Sequence, residues 1–342
     1  MDYLSGSIYS RGGFVDGYIC VEDGVIVDIC DGLCPERPLH HGIIVPMMVN
    51  AHTHAADGGV AVRSGMSIES LVAPPNGLKH RYLRDTPGDI LEGSMAEYRR
   101  SSESNGIANF IDFREDGAEG CRLLRKAAPD SIVLGRPVSV EYDETEIDSI
   151  LDIADVIGIS SISDMDHGYI ESVADRVRER KKIFSVHASE RIREDMDFIL
   201  SLDPAFVVHM VEATNEDLLK CAEAEVPVVV CPRSNAFFGK VAPIREMIRC
   251  GVDISLGTDN AMLCSPDMRA EAGEFFRILE AQKGDPGYTW KAMIDNGRRL
   301  IYNLDKSELK KGNRAELAIL PCPGDHSLKG MLSSTDKIVT YR

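Results

Sequence analysis

The sequence predicts an α/β protein: a (β/α)8 barrel of the TIM type with a small β-sandwich domain built from both chain termini. Three observations point to it. Strand-like and helical segments alternate through the middle of the chain, which is the signature of parallel β/α architecture. Both ends are instead rich in short β-like runs. The length, 342 residues, accommodates a barrel of roughly 250 residues and leaves about ninety for appendages.

At the N-terminus, Tyr18–Cys30 reads as two β-rich runs about Asp23-Gly24, a strong hairpin signal. Gly312–Leu320 and Asp336–Tyr341 are again strand-like at the far end. Residues 1–45 and 310–342 are therefore expected to form one discontinuous β domain, and 46–309 the barrel. The first barrel strand lies in Ile43–Ala51. Residues 55–85 follow as an irregular stretch, long for a structureless connection, and read as an active-site lid or insert. Thr86-Pro87 then starts a helix with Ile90, Leu91, Met95 and Tyr98 on one side, and Asn105-Gly106 stops it. Further strands are expected at Ile107–Phe113, Ser131–Val138, Asp155–Ile162, Lys182–Val186, Phe206–His209, Val226–Cys231 and Val252–Leu256. Helices are expected between them: one carries Ile170, Val173 and Val177, one opens at Thr214-x-x-Asp217, one spans Ser189–Leu202 and one ends at Cys250-Gly251. A last helix is expected over Thr289–Leu304, with Trp290 as a packing residue.

Composition narrows the function. With 38 basic and 55 acidic residues the net charge is −17, so a nucleic-acid polyanion is repelled and a small molecule is the expected partner. No run approaches ~20 unbroken apolar residues, which argues against a membrane span. The N-terminal segment lacks the basic and apolar regions of a secretion signal. The nine cysteines contain no C-x-x-C, so reduced core thiols in a cytoplasmic protein are expected rather than a disulfide framework. A homo-oligomer is left open.

The polar residues fall at the ends of the expected strands. Strand 1 runs into His52-x-His54, strand 5 into His187, strand 6 into His209 and strand 8 into Asp259. Functional groups of such barrels come from the C-terminal ends of strands. Each histidine alone would read as a satisfied structural residue, but five convergent positions on one rim read as a site.

His52-x-His54, His187-x-x-Glu190, His209 and Thr258-Asp259, in this order and spacing, resemble the amidohydrolase superfamily. Cys231-Pro-Arg-Ser-Asn235 followed by Gly251–Asp259 is similar to its branch of guanine, cytosine and S-adenosylhomocysteine/methylthioadenosine deaminases. The resemblance implies that His52, His54, His187 and Asp259 bind one divalent metal ion, zinc first, with iron, nickel or manganese as alternatives. It also implies catalytic roles for Glu190, His209 and Asp259. Many superfamily members hold a second metal through a lysine on strand 4; this strand has none, which favours a single ion. A bound metal lowers the pKa of water to about 7. Asp259 would take the proton, Glu190 would protonate a ring nitrogen, and His209 would stabilise the new oxygen.

For the substrate, Asn76, Lys79 and His80 in the lid, Arg114 after strand 2, Arg136 late in strand 3, and Arg233 and Asn235 after strand 7 are candidate contacts. An arginine there suits a carboxylate or phosphate, or else closes a rim salt bridge. The chain is more compact than is usual for the branch, so its recognition loops differ. Release of ammonia from an amino-substituted purine, pterin, pyrimidine or nucleoside is the first reading. Hydrolysis of a cyclic or acyclic amide is the second. A non-catalytic metal-binding or assembly protein is the third, and Glu190 and His209 speak against it.

Overall fold

A computed structural model describes residues 1–10, 13–300, 309–322 and 327–342. The chain opens with β1 (Asp2–Ser10), β2 (Gly13–Glu22), β3 (Val25–Asp31) and β4 (His40–Pro46). The middle holds β5 (Met48–His54), β6 (Ile107–Arg114), β7 (Ile132–Gly135), β8 (Val156–Ile159) and β9 (Ile183–Ala188). It continues through β10 (Phe206–His209), β11 (Val228–Val230), β12 (Ile254–Leu256) and β13 (Asp259–Asn260). The chain closes with β14 (Leu317–Leu320) and β15 (Val339–Tyr341).

The strands from both chain ends meet in one six-stranded sheet of order β15-β14-β4-β1-β2-β3. Asp23 and Gly24 both take positive φ (50° and 73°), the geometry a two-residue hairpin turn requires. Leu4, Ile8, Ile19, Ile26, Ile44 and Leu317 give this sheet a core of its own. The expected terminal strands all join it, and the described residues there are hydrogen-bonded into this one sheet.

The second sheet is parallel and curled, in the order β12-β11-β10-β9-β8-β7-β6-β5-β13. The two ends of that order, β12 and β13, are successive pieces of one chain segment interrupted only at Gly257-Thr258. Alternate residues point to opposite faces of a strand. Val49 and Ala51, Ile111 and Phe113, Ile132 and Leu134, and Phe206 and Val208 accordingly form an inner cluster. Their neighbours Val133, Ile157, Val207 and Val228 face outward. Outside, they pack against Leu124, Ile150, Ile170, Val173 and Leu218, which lie on the helices Gly117–Ala127, Glu144–Leu151, His167–Glu179 and Asn215–Glu223. Burial on both faces explains why these strands read as unbroken apolar runs.

Several boundaries differ from expectation. The first barrel strand is divided: β4 belongs to the terminal sheet and β5 to the curled one, with the Met47 N–H donating to the Glu316 carbonyl at the junction. β7 ends at Gly135, so Arg136 lies just past the sheet. The lid contains structure of its own, including helices Ile68–Leu71 and Leu78–Asp85. The helix after Pro87 runs Gly88–Ser104, with Leu91, Met95 and Tyr98 buried but Ile90 55% exposed. The helix expected over Ser189–Leu202 is confined to Met196–Ser201, because Asp195 caps it. The helix expected at Thr289–Leu304 contains a π-helical stretch at Lys291–Asn296, and its residues from 301 on lie outside the described ones.

Candidate functional site

The histidines and the aspartate meet at one rim of the curled sheet because neighbouring parallel strands end in register. His187 pairs with Val208 across β9 and β10, and Asp259 pairs with Thr53 across β13 and β5. The His52 ring centroid lies 5.0 Å from that of His54, 4.9 Å from His187 and 5.6 Å from His209. Nitrogens of His52, His54 and His187 fall within 4.8 Å of one another, and so do ligand atoms of His52, His209 and Asp259.

Two of the rings are turned by their other nitrogen. His54 Nδ1 lies 2.9 Å from the Phe113 carbonyl, and His187 Nδ1 lies 2.9 Å from that of Ile159. With Nδ1 donating, Nε2 is left as a lone-pair acceptor facing the centre. Asp259 Oδ1 stands 3.2 Å from His52 Nε2 and 3.5 Å from His54 Nε2. The His52 contact is close without being an aligned hydrogen bond: both ring nitrogens are buried and make none. A buried imidazole left uncommitted is costly, and a cation shared with Asp259 would satisfy it. Asp259 Oδ2 is already taken by the Ser234 hydroxyl, which donates at 2.5 Å.

The electrostatics fit the same purpose. Burial pulls His52 down to about 3, and burial reinforced by the neighbouring imidazoles pulls His187 well below its usual range. Burial would push Asp259 up, but the His52 contact and the surrounding imidazoles outweigh it and hold the carboxyl well below 3.8. Neutral imidazoles beside an ionised carboxylate are the protonation states that a divalent cation requires of its ligands.

Gly257 makes the close approach possible. A Cβ there would meet His52 Cβ at 2.6 Å and the His52 backbone nitrogen at 2.8 Å. Gly257→Ala is therefore expected to destabilise the fold by about 1–3 kcal/mol and to displace His52. Thermal unfolding together with elemental metal analysis checks this; an unchanged melting temperature and metal content would refute it.

Glu190 sits in the loop between β9 and helix Met196–Ser201, with Oε2 3.8 Å from His209 Nε2. Burial raises its pKa; His209 pulls against it and Asp259 adds to it. Glu194 pins this loop: it accepts from the Ser189 N–H at 2.8 Å, the Ser163 N–H at 2.9 Å and the hydroxyls of Ser161 and Ser163. Ser189, His209 and Asp259 all take positive φ (47°, 78° and 59°), strain that gathers at this rim.

A cavity of about 640 Å³, open mouth included, lies over the rim and is lined by His54, Lys79, Arg136, His187, Glu190, His209 and Asp259 among others. A second lobe of about 1100 Å³ shares Pro74, Arg136, Ser160 and Asp164 with it. Of the expected substrate contacts, Lys79 and Arg136 line the first lobe, and His80 and Arg136 the second. The Arg136 guanidinium makes no hydrogen bond or ion pair among the described residues. His80 Nε2 lies 3.1 Å from the Val72 carbonyl, and burial pulls the ring down to about 4.

The other four stand elsewhere. Asn76 is exposed in the turn before Gly77 and lines neither lobe. Arg114 is buried and donates to Glu115 Oε2 at 2.6 Å, so its charge is spent inside the protein. Asn235 lies beneath the cavity, its Nδ2 3.5 Å from His209 Nδ1. Arg233 donates to the Ser265 carbonyl at 3.2 Å and lies 3.6 Å from Glu271 Oε2.

Glu271 is fully buried and accepts from the Arg233 N–H at 2.8 Å. Burial raises it from 4.5 to about 8, with Arg233 opposing. A carboxyl raised on folding favours the protonated state: its stabilisation is complete below the unfolded value and is lost as pH climbs through the folded one. The melting temperature is thus expected to fall between pH 5 and 8, a loss on the order of a few kcal/mol. Glu271→Gln should flatten that slope; a variant with the wild-type slope would refute the assignment.

Residues that the sequence reading did not single out complete the site: Ser234 on Asp259, Glu194 under the Glu190 loop, and Glu115, whose Oε1 lies 2.9 Å from His54 Nδ1. Burial would raise Glu115, but Lys79, His54 and Arg114 together hold it well below its usual range. The one sequence signal for it was its place directly after β6, among Arg114-Glu115-Asp116.

A protein of Archaeoglobus fulgidus that carries the name aminohydrolase is 36% identical over 272 residues, covering 79% of this chain and 78% of that protein. One of the same name from Methanothermobacter thermautotrophicus is 34% identical over 280 residues, covering 74% and 73%. A 5-methylthioadenosine/S-adenosylhomocysteine deaminase of Moorella thermoacetica is 30% identical over 131 residues, 36% of this chain and 31% of that one. Among solved structures, guanine deaminase from C. acetobutylicum with bound guanine superposes with a TM-score of 0.77 at 14% identity, over 97% of this chain and 94% of that one. An adenosine deaminase from Xanthomonas campestris with bound zinc gives 0.77 at 16% identity, over 97% and 88%. These two similarities concern the fold. No protein-family model matches the chain.

Proposed function

The chain belongs to the amidohydrolase superfamily, in its deaminase branch, and on that premise we propose that it is a metal-dependent aminohydrolase releasing ammonia from an amino-substituted nitrogen heterocycle. The observation that carries the reading is the buried, hydrogen-bond-free His52 set among His54, His187 and Asp259. His52, His54, His187 and Asp259 would hold one divalent ion, which we take to be zinc; β8 offers no lysine for a second. When bound, such an ion supplies hydroxide from water near neutral pH.

The residues divide the remaining work. Asp259, kept ionised and anchored at Oδ2 by Ser234, accepts the proton of the attacking water and later delivers it to the leaving amine. Glu190, whose protonated form burial favours, faces the cavity, gives its proton to the ring nitrogen beside the attacked carbon, and regains one from the new hydroxyl as the carbonyl forms and ammonia leaves. His209, 3.8 Å from Glu190, donates to the oxygen that develops on that carbon. Arg136, whose guanidinium makes no hydrogen bond or ion pair among the described residues, takes a polar or anionic group of the substrate, with Lys79 and His80 beside it.

The curled sheet reads as a closed (β/α)8 barrel, joined through Gly257-Thr258, over residues 46–309, with 1–45 and 310–342 forming the small β domain. Within the described residues no helix is long and apolar enough to cross a membrane. We place the enzyme in the cytoplasm, acting on a small molecule and not on nucleic acid, as a monomer or homo-oligomer.

Ammonia release from purines, pterins, pyrimidines and their nucleosides by metal-replete protein tests the reading. Turnover with ammonia and no new carboxylate is expected. A new carboxylate from a ring amide would move the assignment to amide hydrolysis. Tightly held metal without turnover of either class would leave a metal-binding protein.

A further inference from the structure

His54 is held differently from the other histidines of the rim. The Nδ1 of His187 meets a backbone carbonyl, whereas the Nδ1 of His54 bonds the Phe113 carbonyl at 2.9 Å and also stands 2.9 Å from Glu115 Oε1, a charge contact and not an aligned hydrogen bond. The same Oε1 is 2.5 Å from Lys79 Nζ, and Oε2 accepts from Arg114 Nη2 at 2.6 Å. All three partners of His54 and Glu115 are buried: Phe113, Lys79 and Arg114. Lys79 comes from helix Leu78–Asp85 in the lid and lines the cavity directly above. Glu115 would need only the two cations to be neutralised inside the protein. Its approach to His54 is additional, and it falls on the nitrogen that is not turned to Asp259.

The Phe113 carbonyl fixes the tautomer of His54, and a carboxylate charge beside the outer nitrogen of a metal-binding imidazole makes the inner nitrogen a stronger donor. We propose that Glu115 is a positioning residue that sets His54 for the metal, and that Lys79 moderates it by competing for the same oxygen. The inference rests on His54 being a ligand, as the functional reading has it. It ties a residue of the cavity wall to the strength of a ligand beneath it, so the two members of the pair should act in opposite directions. Removing Glu115 takes the anion away from His54. Removing Lys79 leaves the anion to His54 and Arg114.

Metal-free wild type, Glu115→Gln and Lys79→Met, each titrated with zinc against a chelating indicator, separate these possibilities, with cobalt(II) spectra and apo-protein melting curves alongside. Glu115→Gln is expected to bind zinc about 10–100-fold more weakly, with an altered cobalt spectrum. Lys79→Met is expected to bind at least as tightly as wild type even where its melting temperature falls. A Glu115 that served only as packing would leave affinity untouched, or would lower it equally in both variants in step with stability; either result overturns the proposal. Should Glu115→Gln fail to fold, Lys79→Met decides alone, and a tenfold weaker zinc affinity overturns it. A wild type that binds no zinc would instead refute the assignment of the site itself.

Discussion

Replacing His187 by alanine is expected to leave the protein without stoichiometric metal and without measurable ammonia release. Structural zinc sites of four ligands are worth roughly 10–16 kcal/mol. An equal share is about 2.5–4 kcal/mol per ligand, or on the order of 10²-fold to nearly 10³-fold in affinity. The loss should exceed that of an outer-sphere change, because His187 offers its own ring nitrogen to the cluster: its ring is 4.9 Å from His52, 5.7 Å from His54 and 5.5 Å from His209. The substitution also opens space against Phe113, 4.5 Å away, and strips the Ile159 carbonyl of its donor, so some stability will be lost. His187→Asn keeps a polar side chain on that carbonyl and separates the two effects. Elemental analysis of both purified variants checks the expectation. A full metal equivalent in His187→Ala would remove this residue from the ligand set.

Much of this centre was legible in the sequence because its residues sit at strand ends. Strand ends were marked by apolar runs that stop at a histidine or an aspartate, and parallel register does the rest: Asp259 against Thr53, His187 against Val208. What was not legible comes from loops and from partners distant along the chain. Ser234 bonds Asp259 across 25 residues, Lys79 reaches Glu115 across the lid, and Glu194 clamps Ser161 and Ser163 from a neighbouring loop. No periodicity predicts such contacts. Arg114 shows the reverse error. An arginine just past a strand looks available for substrate, yet this side chain folds back on Glu115 and Asp112 in a buried network. Arg136, also expected from its place near a strand end, differs in making no ion pair among the described residues, though Glu115 and Asp164 lie near enough to act on its charge. The terminal sheet was foreseen from β-like runs at both ends, but its strand order was not, since strand pattern specifies which face is buried and not which strand lies alongside.

Glu190→Gln is expected to keep the metal and lose roughly 10²–10⁴-fold in kcat, the range of a positioned acid–base group. Two features separate it from the ligands. Glu190 is in neither group of convergent metal-binding atoms, and its loop is pinned independently by Glu194. Glutamine preserves shape and the capacity to sit near His209, so folding and metal content should stay at wild-type levels, and only the transferable proton is gone. The direction of the pKa shift gives a second readout. Burial raises Glu190, so the protonated form persists to higher pH than in an exposed glutamate. A group that must start protonated loses rate as pH rises through its folded pKa, so wild-type kcat should carry an alkaline descending limb. In Glu190→Gln that limb should vanish with the bulk of the rate, leaving a flat residual set by the metal centre and Asp259. The competing account makes Glu190 a hydrogen-bond acceptor that orients the substrate, and it predicts a raised KM with kcat and its alkaline limb intact. Steady-state kinetics of the two proteins across pH decides between these accounts, and an intact kcat would take the general acid away from Glu190.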